Sequence, residues 1–169
     1  TGDGELEEVD WSYAEGLVNI CPDVEVIKVK KCKLSSCSYM FGELENVKSI
    51  TFEDFDTSQV TDMSGMFIYC LSLESVDLSG FDTSKVTDMY GMFEGCKSLE
   101  SVDVSGFDTA KVCDMGFMFR CCESLTDLDL SNFDTAKVND MGYMFAYCES
   151  MVSLDISSFE FADISDAYY

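Results

Sequence analysis

Histidine is missing from this chain, and with it go the commonest general base and the commonest metal ligand. Proline occurs once and no low-complexity tract breaks the sequence, so no linker divides the 169 residues. Basic side chains are scarce: 10 Lys and Arg face 33 Asp and Glu, for a formal charge of −23. Nucleic acid and anionic membrane surfaces require a basic face, so neither is an expected partner. Cations, basic proteins and neutral glycans are what such a surface admits. No apolar run reaches the ~18 residues a membrane helix needs, and the chain is not expected to span a bilayer. A glycine-rich phosphate loop, a histidine-assisted nucleophile and a metal-ligating cluster are all missing. Catalysis, a cofactor and a bound metal are therefore not expected. The chain opens on Thr1 rather than Met, which suggests either processing or trimming; a removed targeting segment would leave no trace here.

What is present is apolar content of 47%, enough for one sizeable core, and a repeat. Phe55, Phe81, Phe107, Phe133 and Phe159 fall 26 residues apart, as do Cys70, Cys96, Cys122 and Cys148. The segments between them are near copies, from FDTSQVTDMSGMFIYCLSLESVDLSG to FDTAKVNDMGYMFAYCESMVSLDISS. A fixed period of this length marks a solenoid whose units pack on their neighbours. The column Leu73, Val76, Leu78, Phe81 projects back onto Val47, Ile50, Phe52, Phe55 and then onto Cys21, Val24, Val26, Val29. Likewise Met63, Met66, Cys70 project onto Cys37, Met40, Leu44 and then onto Trp11, Ala14, Val18. Six strands are expected, centred near residues 25, 51, 77, 103, 129 and 155. Residues 1–30 read as an N-terminal cap with a first divergent coil, 31–158 as the repeat array, and 159–169 as a C-terminal cap.

Within a unit the periodicity changes. Leu73, Val76 and Leu78 alternate with Ser75, Asp77 and Ser79, as in a short strand. Val60, Met63, Met66, Phe67 and Cys70 recur at three- and four-residue steps, which predicts one face of a short helix. Asp56, Thr57 or Ser58 offers its N-cap, with Asp62 in its first turn. Strand, turn, helix and return make one coil, and stacked coils place the strands in a parallel sheet.

The frame Leu99-x-x-Val102-x-Val104-x-x-Phe107 resembles a leucine-rich repeat, and FDTSKVTDMYGMFEGCKSLESVDVSGFDTSKV resembles the BspA-like repeats of bacterial surface proteins. The likeness is close over residues 55–158 and weaker over 24–54. It implies an α/β leucine-rich-repeat solenoid of about six 26-residue coils, each with one short parallel strand and one short helix, capped at both ends. It also implies a secreted or wall-attached location and a role in adhesion or protein binding. Members of the family also occur in mycoplasmas and eukaryotic microbes. Two features depart from the surface-protein pattern: no anchor signal is visible, and there are cysteines beyond the repeat's own.

Four sets of positions are candidates for function. The cysteine column Cys70, Cys96, Cys122, Cys148 reads as buried thiols with weak hydrogen bonds, since a column spreads ligands that zinc needs at one point. Nine cysteines leave at least one unpaired within a monomer, and Cys113 and Cys121 occupy positions expected to be exposed. Asp56, Asp82, Asp108, Asp134 and Asp62, Asp88, Asp114, Asp140 sit where Asx-turns and caps use aspartate. Lys85, Lys111 and Lys137 follow the first of these columns and can partly neutralise it. The strand face carries Ser75, Asp77, Ser101, Asp103, Asp127, Asp129, Ser153 and Asp155. Like charges a strand spacing apart repel, so serine hydrogen bonds, solvent, or a bound cation or basic ligand must offset them. The helix positions vary: Ser64, Tyr90, Gly116, Gly142 in one column, Gly65, Gly91, Phe117, Tyr143 in the next, Ile68, Glu94, Arg120, Ala146 in a third. Tyr69, Tyr90, Phe117, Tyr143 and Tyr147 form a candidate aromatic patch for a partner.

The functional expectation is a non-enzymatic binding or adhesion module that recognises a protein or glycan through the solenoid surface, at the cell surface or outside the cell. The alternative is a structural subunit docked permanently in a larger assembly, intracellular or organellar, which the many unpaired thiols favour.

Overall fold

A computed structural model describes residues 5–6, 23–30 and 33–160. Trp11, Ala14, Val18 and Cys21 of the expected N-terminal cap lie outside the described residues, as does the expected C-terminal cap beyond Glu160. Among the described residues there are six short strands: β1 (Glu5–Leu6), β2 (Val26–Lys30), β3 (Ser49–Glu53), β4 (Ser75–Val76), β5 (Asp127–Asp129) and β6 (Ser153–Asp155). β1 to β4 form one sheet in chain order and β5 and β6 a second, with every pairing parallel. Ser49 faces Ser75 and Asp127 faces Ser153, one repeat apart, whereas Val26 faces Ser49, three residues short of a repeat. Alternation explains the pleat: Leu128 and Leu154 turn inward between outward Asp127, Asp129, Ser153 and Asp155. Near residue 103 no strand forms, so the sheet is interrupted at one coil.

The expected helix in each coil does not exist: among the described residues there is no helix, and the α/β reading is overturned. The segment is a ladder of turns. Cys37, Tyr39, Phe41 and Glu43 donate their N–H groups to the carbonyls of Asp62, Ser64, Met66 and Ile68 in the next coil, at 2.7–2.9 Å. Met63, Gly65, Phe67 and Tyr69 do the same toward Asp88, Tyr90, Met92 and Glu94, and the pattern continues to Cys121 and Ala146. The residues between them close four-residue turns, as Met66 N–H to Met63 O, Ile68 N–H to Gly65 O and Cys70 N–H to Phe67 O. A helix needs every N–H for its own carbonyls four residues back; here half of them leave for the neighbouring coil. The backbone also rules it out, because Gly65 and Tyr69 take φ of 57° and 56°. Consecutive turns return an inward residue every three positions, which is why Val60, Met63, Met66 and Cys70 imitate helical spacing.

The interior is a set of continuous columns. Phe41, Phe67, Phe93, Phe119 and Phe145 stack ring on ring, with centroids 5.4–6.1 Å apart and planes within 11°. Phe55, Phe81, Phe107 and Phe133 are buried as a second column, with Phe159 half-buried at its end. The same core cluster holds the buried methionines Met63, Met66, Met89, Met92, Met115 and Met118. Thr57, Thr83, Thr109 and Thr135 are buried polar residues with a fixed task. Each Oγ1 donates to the carbonyl of an aspartate or glutamate one coil on (Asp82, Asp108, Asp134, Glu160) and accepts that residue's N–H. Both hydrogen-bonding roles of a hydroxyl are thereby used in the core.

Candidate functional site

Two columns of the turn ladder hold left-handed residues. Tyr39, Gly65, Gly91, Phe117 and Tyr143 have φ of 52–59°, and Glu43, Tyr69, Gly95, Cys121 and Tyr147 have φ of 56–74°. Glycine adopts this conformation freely, while a side-chain-bearing residue costs on the order of 1 kcal/mol and needs a compensating contact. For Tyr39 and Tyr69 the compensation is ring packing on the next coil. A Cβ added at Gly65 would stand 2.7 Å from the Tyr39 ring, and one at Gly95 would stand 2.5 Å from the Tyr69 ring. Tyr90 lies similarly beside Gly116. Large residues therefore overlie glycines in the early coils.

In the later coils the glycines give way to rings, and a surface results. Tyr90, Phe117 and Tyr143 contact one another in sequence at centroid distances of 5.3 and 5.4 Å. The Arg120 guanidinium lies 5.2 Å from the centre of the Phe117 ring and 5.8 Å from that of Tyr147. Its Nη1 donates to Glu94 Oε1 at 2.7 Å, and the Tyr69 hydroxyl donates to the same oxygen at 3.2 Å. The Glu94 side chain is only 6% exposed, so this ion pair is anchored from below while its arginine, at 32%, stays in reach of solvent. The Glu94 charge, followed by burial, pushes the Tyr69 hydroxyl above its ordinary value. Arg120 is likewise raised, chiefly by its hydrogen bond to Glu94. All five expected patch residues thus meet on one face, joined through Arg120 and Glu94. Tyr147 is 62% exposed and Tyr39, 50% exposed, extends the face toward the first coil.

The strand-face candidates remain on the surface, yet their carboxylates are engaged. Oδ1 of Asp77, Asp103, Asp129 and Asp155 accepts the backbone N–H of Ser79, Ser105, Ser131 and Ser157, at 2.9–3.0 Å. Asp77 sits below its ordinary value because of the Ser79 N–H and then its hydroxyl; for Asp103 and Asp129 the serine hydroxyl leads and the N–H follows. Repulsion from Asp103 is the last of the causes acting on Asp77. The serine bonds are therefore what offsets the like-charge column. Ser75, Ser101, Asp127 and Ser153 are exposed beside them, but the unpaired coil at residue 101 splits the face in two.

The other aspartate columns are Asx-turns rather than helix caps. Asp56, Asp82, Asp108 and Asp134 accept the N–H two residues on, and so do Asp62, Asp88, Asp114 and Asp140. Asp114 is raised above its ordinary value by burial first, with Asp88 and Asp140 adding to the effect. The lysines reach back a coil: Lys85 to Gln59 Oε1 and Lys111 to the Ser84 carbonyl. Among the described residues no three Cys, Asp or Glu form a metal-ligating group. In the cysteine column the Sγ–H groups of Cys70, Cys96, Cys122 and Cys148 donate to the carbonyls of Phe41, Phe67, Phe93 and Phe119, at 3.0–3.2 Å. Burial pushes Cys70 up to about 12 and Cys148 to about 11. Cys113 is exposed and Cys121 half-buried, and neither is in a disulfide.

Sequence reasoning passed over the Thr57 column and the Glu94–Arg120 pair. The second was legible: Glu94 and Arg120 occupy one column in adjacent repeats with opposite charge.

A family model described as "Mycoplasma protein of unknown function, DUF285" matches residues 35–159, which is 125 of the 169 residues. The chain belongs to that family. No curated protein and no solved structure matches it.

Proposed function

We propose that this chain is a non-enzymatic protein-binding module and that its partner docks on the face formed by Tyr69, Tyr90, Phe117, Tyr143, Tyr147 and Arg120. The observation carrying this reading is the run of rings across three coils with an arginine held over two of them. Tyrosine and arginine are the residues that dominate interface energetics, because they add large rigid contact area with a polar tip. Strain at left-handed positions adds weight: Tyr143 and Tyr147 stand exposed where glycine would fit at lower cost. The strand face supports binding less, since each of its repeat aspartates already serves a turn. The resemblance to BspA-like repeats supports extending this proposal to adhesion at a cell surface.

The test is paired capture from native extract with the wild-type chain and with Tyr143→Asn and Tyr147→Asn together. Asparagine tolerates the left-handed backbone and removes the rings. A partner recovered on the order of tenfold less by the double variant, a shift of ~1.4 kcal/mol, supports the aromatic face. Equal recovery removes it, and loss on Asp103→Ala with Asp129→Ala would transfer the role to the strand face. A second reading, a permanently docked assembly subunit in a reducing compartment, draws on the free thiols of Cys113 and Cys121. Size-exclusion of the native protein separates the two, because a free monomer is incompatible with permanent docking.

A further inference from the structure

On the opposite flank a groove of about 490 Å³ opens between the coils that carry Phe55 and Phe81. Gly80 at its edge carries no side chain, and neither does Gly106 one coil on. The equivalent position, 26 residues apart, is Asp54, Gly80, Gly106, Asn132 and Ser158 in successive coils. Asn132 fills the notch of its coil: Nδ2 donates to the carbonyls of Val104, Ser105 and Phe107 in the coil before, at 3.1–3.3 Å. Ser158 does the same through Oγ, donating to the Leu130 carbonyl at 3.0 Å. At Gly80 nothing occupies that place, and a Cβ built there meets no atom within 4 Å. The chain itself shows what the notch accepts, namely a nitrogen or oxygen that donates hydrogen bonds.

The Gly80 notch differs from the others in its walls. Phe52, Phe55 and Phe81 line it, with ring centroids 4.9–5.4 Å apart. Asp54, Asp56 and Asp77 line its rim. One ammonium already sits at that rim: Lys33 Nζ is 2.7 Å from Asp56 Oδ2. Asp54 takes φ of 55° at its position, and Asp77 Oδ1 accepts the Ser79 N–H at 3.0 Å.

We propose that this groove receives a primary alkylammonium group, its N–H donors replacing the missing side-chain donor and its methylene stem lying on the phenylalanines. Positive charge matches the carboxylates, donors match the notch, and an apolar stem matches the rings. A small free amine and a lysine side chain share this chemistry. The site does not depend on the aromatic face of the proposed function, and either can fail alone.

The experiment is titration of the ¹⁵N-labelled chain with n-butylammonium, N-acetyl-lysine methylamide, n-butanol and tetramethylammonium, following amide shifts at Ser79 and Gly80. Saturable shifts with butylammonium and blocked lysine are expected, with little from the neutral alcohol or the donor-free cation. Response to butylammonium alone assigns the groove to free amines, whereas response to both assigns it to the group in either setting. Gly80→Asn introduces the side chain that Asn132 already provides and leaves the charge unchanged. It should weaken binding on the order of tenfold. Asp54→Asn, compatible with the left-handed backbone, should weaken it severalfold without unfolding the chain. Unchanged affinity in Gly80→Asn, or tetramethylammonium binding as well as butylammonium, would overturn the proposal, because general attraction to an acidic surface would then suffice.

Discussion

The two flanks of each coil hold the stack together to different degrees. On the turn flank four N–H groups per coil cross to the next one at every junction from Cys37 to Ala146, above an unbroken stack of phenylalanines. On the strand flank the pairing is short and skips the coil at residue 103, and its outward residues are exposed. The letters of the repeat are equally regular on both flanks, so regularity alone does not set cohesion. What differs is the ladder: four N–H groups cross every turn-flank junction, those of exposed Tyr39, Glu43 and Tyr69 included, whereas the strand-flank pairing lapses at one coil.

The largest effect that tests this contrast is chemical. With its thiol at about 12 against an ordinary 9.0, Cys70 carries about a thousandfold less thiolate at neutral pH. Peptide mapping after iodoacetamide should find Cys113 modified and Cys70, Cys96 and Cys122 protected. Equal labelling of Cys70 and Cys113 would mean that the turn flank opens freely. Next comes Phe93→Ala, which should cost ~3–5 kcal/mol in urea unfolding by emptying the middle of the stack. A loss below about 1 kcal/mol would show that cohesion lies elsewhere. Thr109→Val keeps shape but strands the Asp134 N–H and carbonyl, so a loss of ~1–3 kcal/mol is expected.

Two aspartates sharpen the contrast at the small end. Asp114 on the turn flank is raised above 3.8, so its ionised form is penalised in the fold. Stability from this group grows as pH falls through its folded value and is complete below 3.8; at neutral pH the charge is a cost. Asp114→Asn should therefore stabilise by ~0.2–1 kcal/mol at pH 7, and the gain should vanish near pH 3 in thermal melts. Asp77, Asp103 and Asp129 on the strand flank are shifted the other way. Their contribution is present above 3.8 and lost as pH falls through their lowered values. Asp103→Ala should leave the urea unfolding midpoint nearly unchanged, as expected for an exposed site. A larger loss would show that the strand flank carries more of the stack than its broken pairing suggests.

The stacking of coils, the inward columns and the turn roles of the aspartates were legible because each follows from spacing and residue type. The helix was misread because overlapping turns and a helix both bring an apolar residue inward at three-residue steps. A contrary signal was available: Gly65 and Gly91 fall in mid-segment, where a helix loses about 1 kcal/mol to glycine, and Gly95 marks the second left-handed column. The five aromatic candidates were found from their variation between repeats. Their union through Arg120 was not, since it depends on which side chains stand one coil apart at the surface. The Thr57 column was invisible for a related reason: a buried threonine looks like a turn residue until the chain one coil away supplies its partners.

The tyrosines set against glycines have a final consequence. Inside, the coils are nearly interchangeable, and any one could sit upon any other. Outside, the ring of Tyr39 occupies the room left by Gly65, and that of Tyr69 the room left by Gly95. A coil with a side chain in place of either glycine would bring that side chain onto the ring, so at these two junctions the outer positions mark which tier may follow.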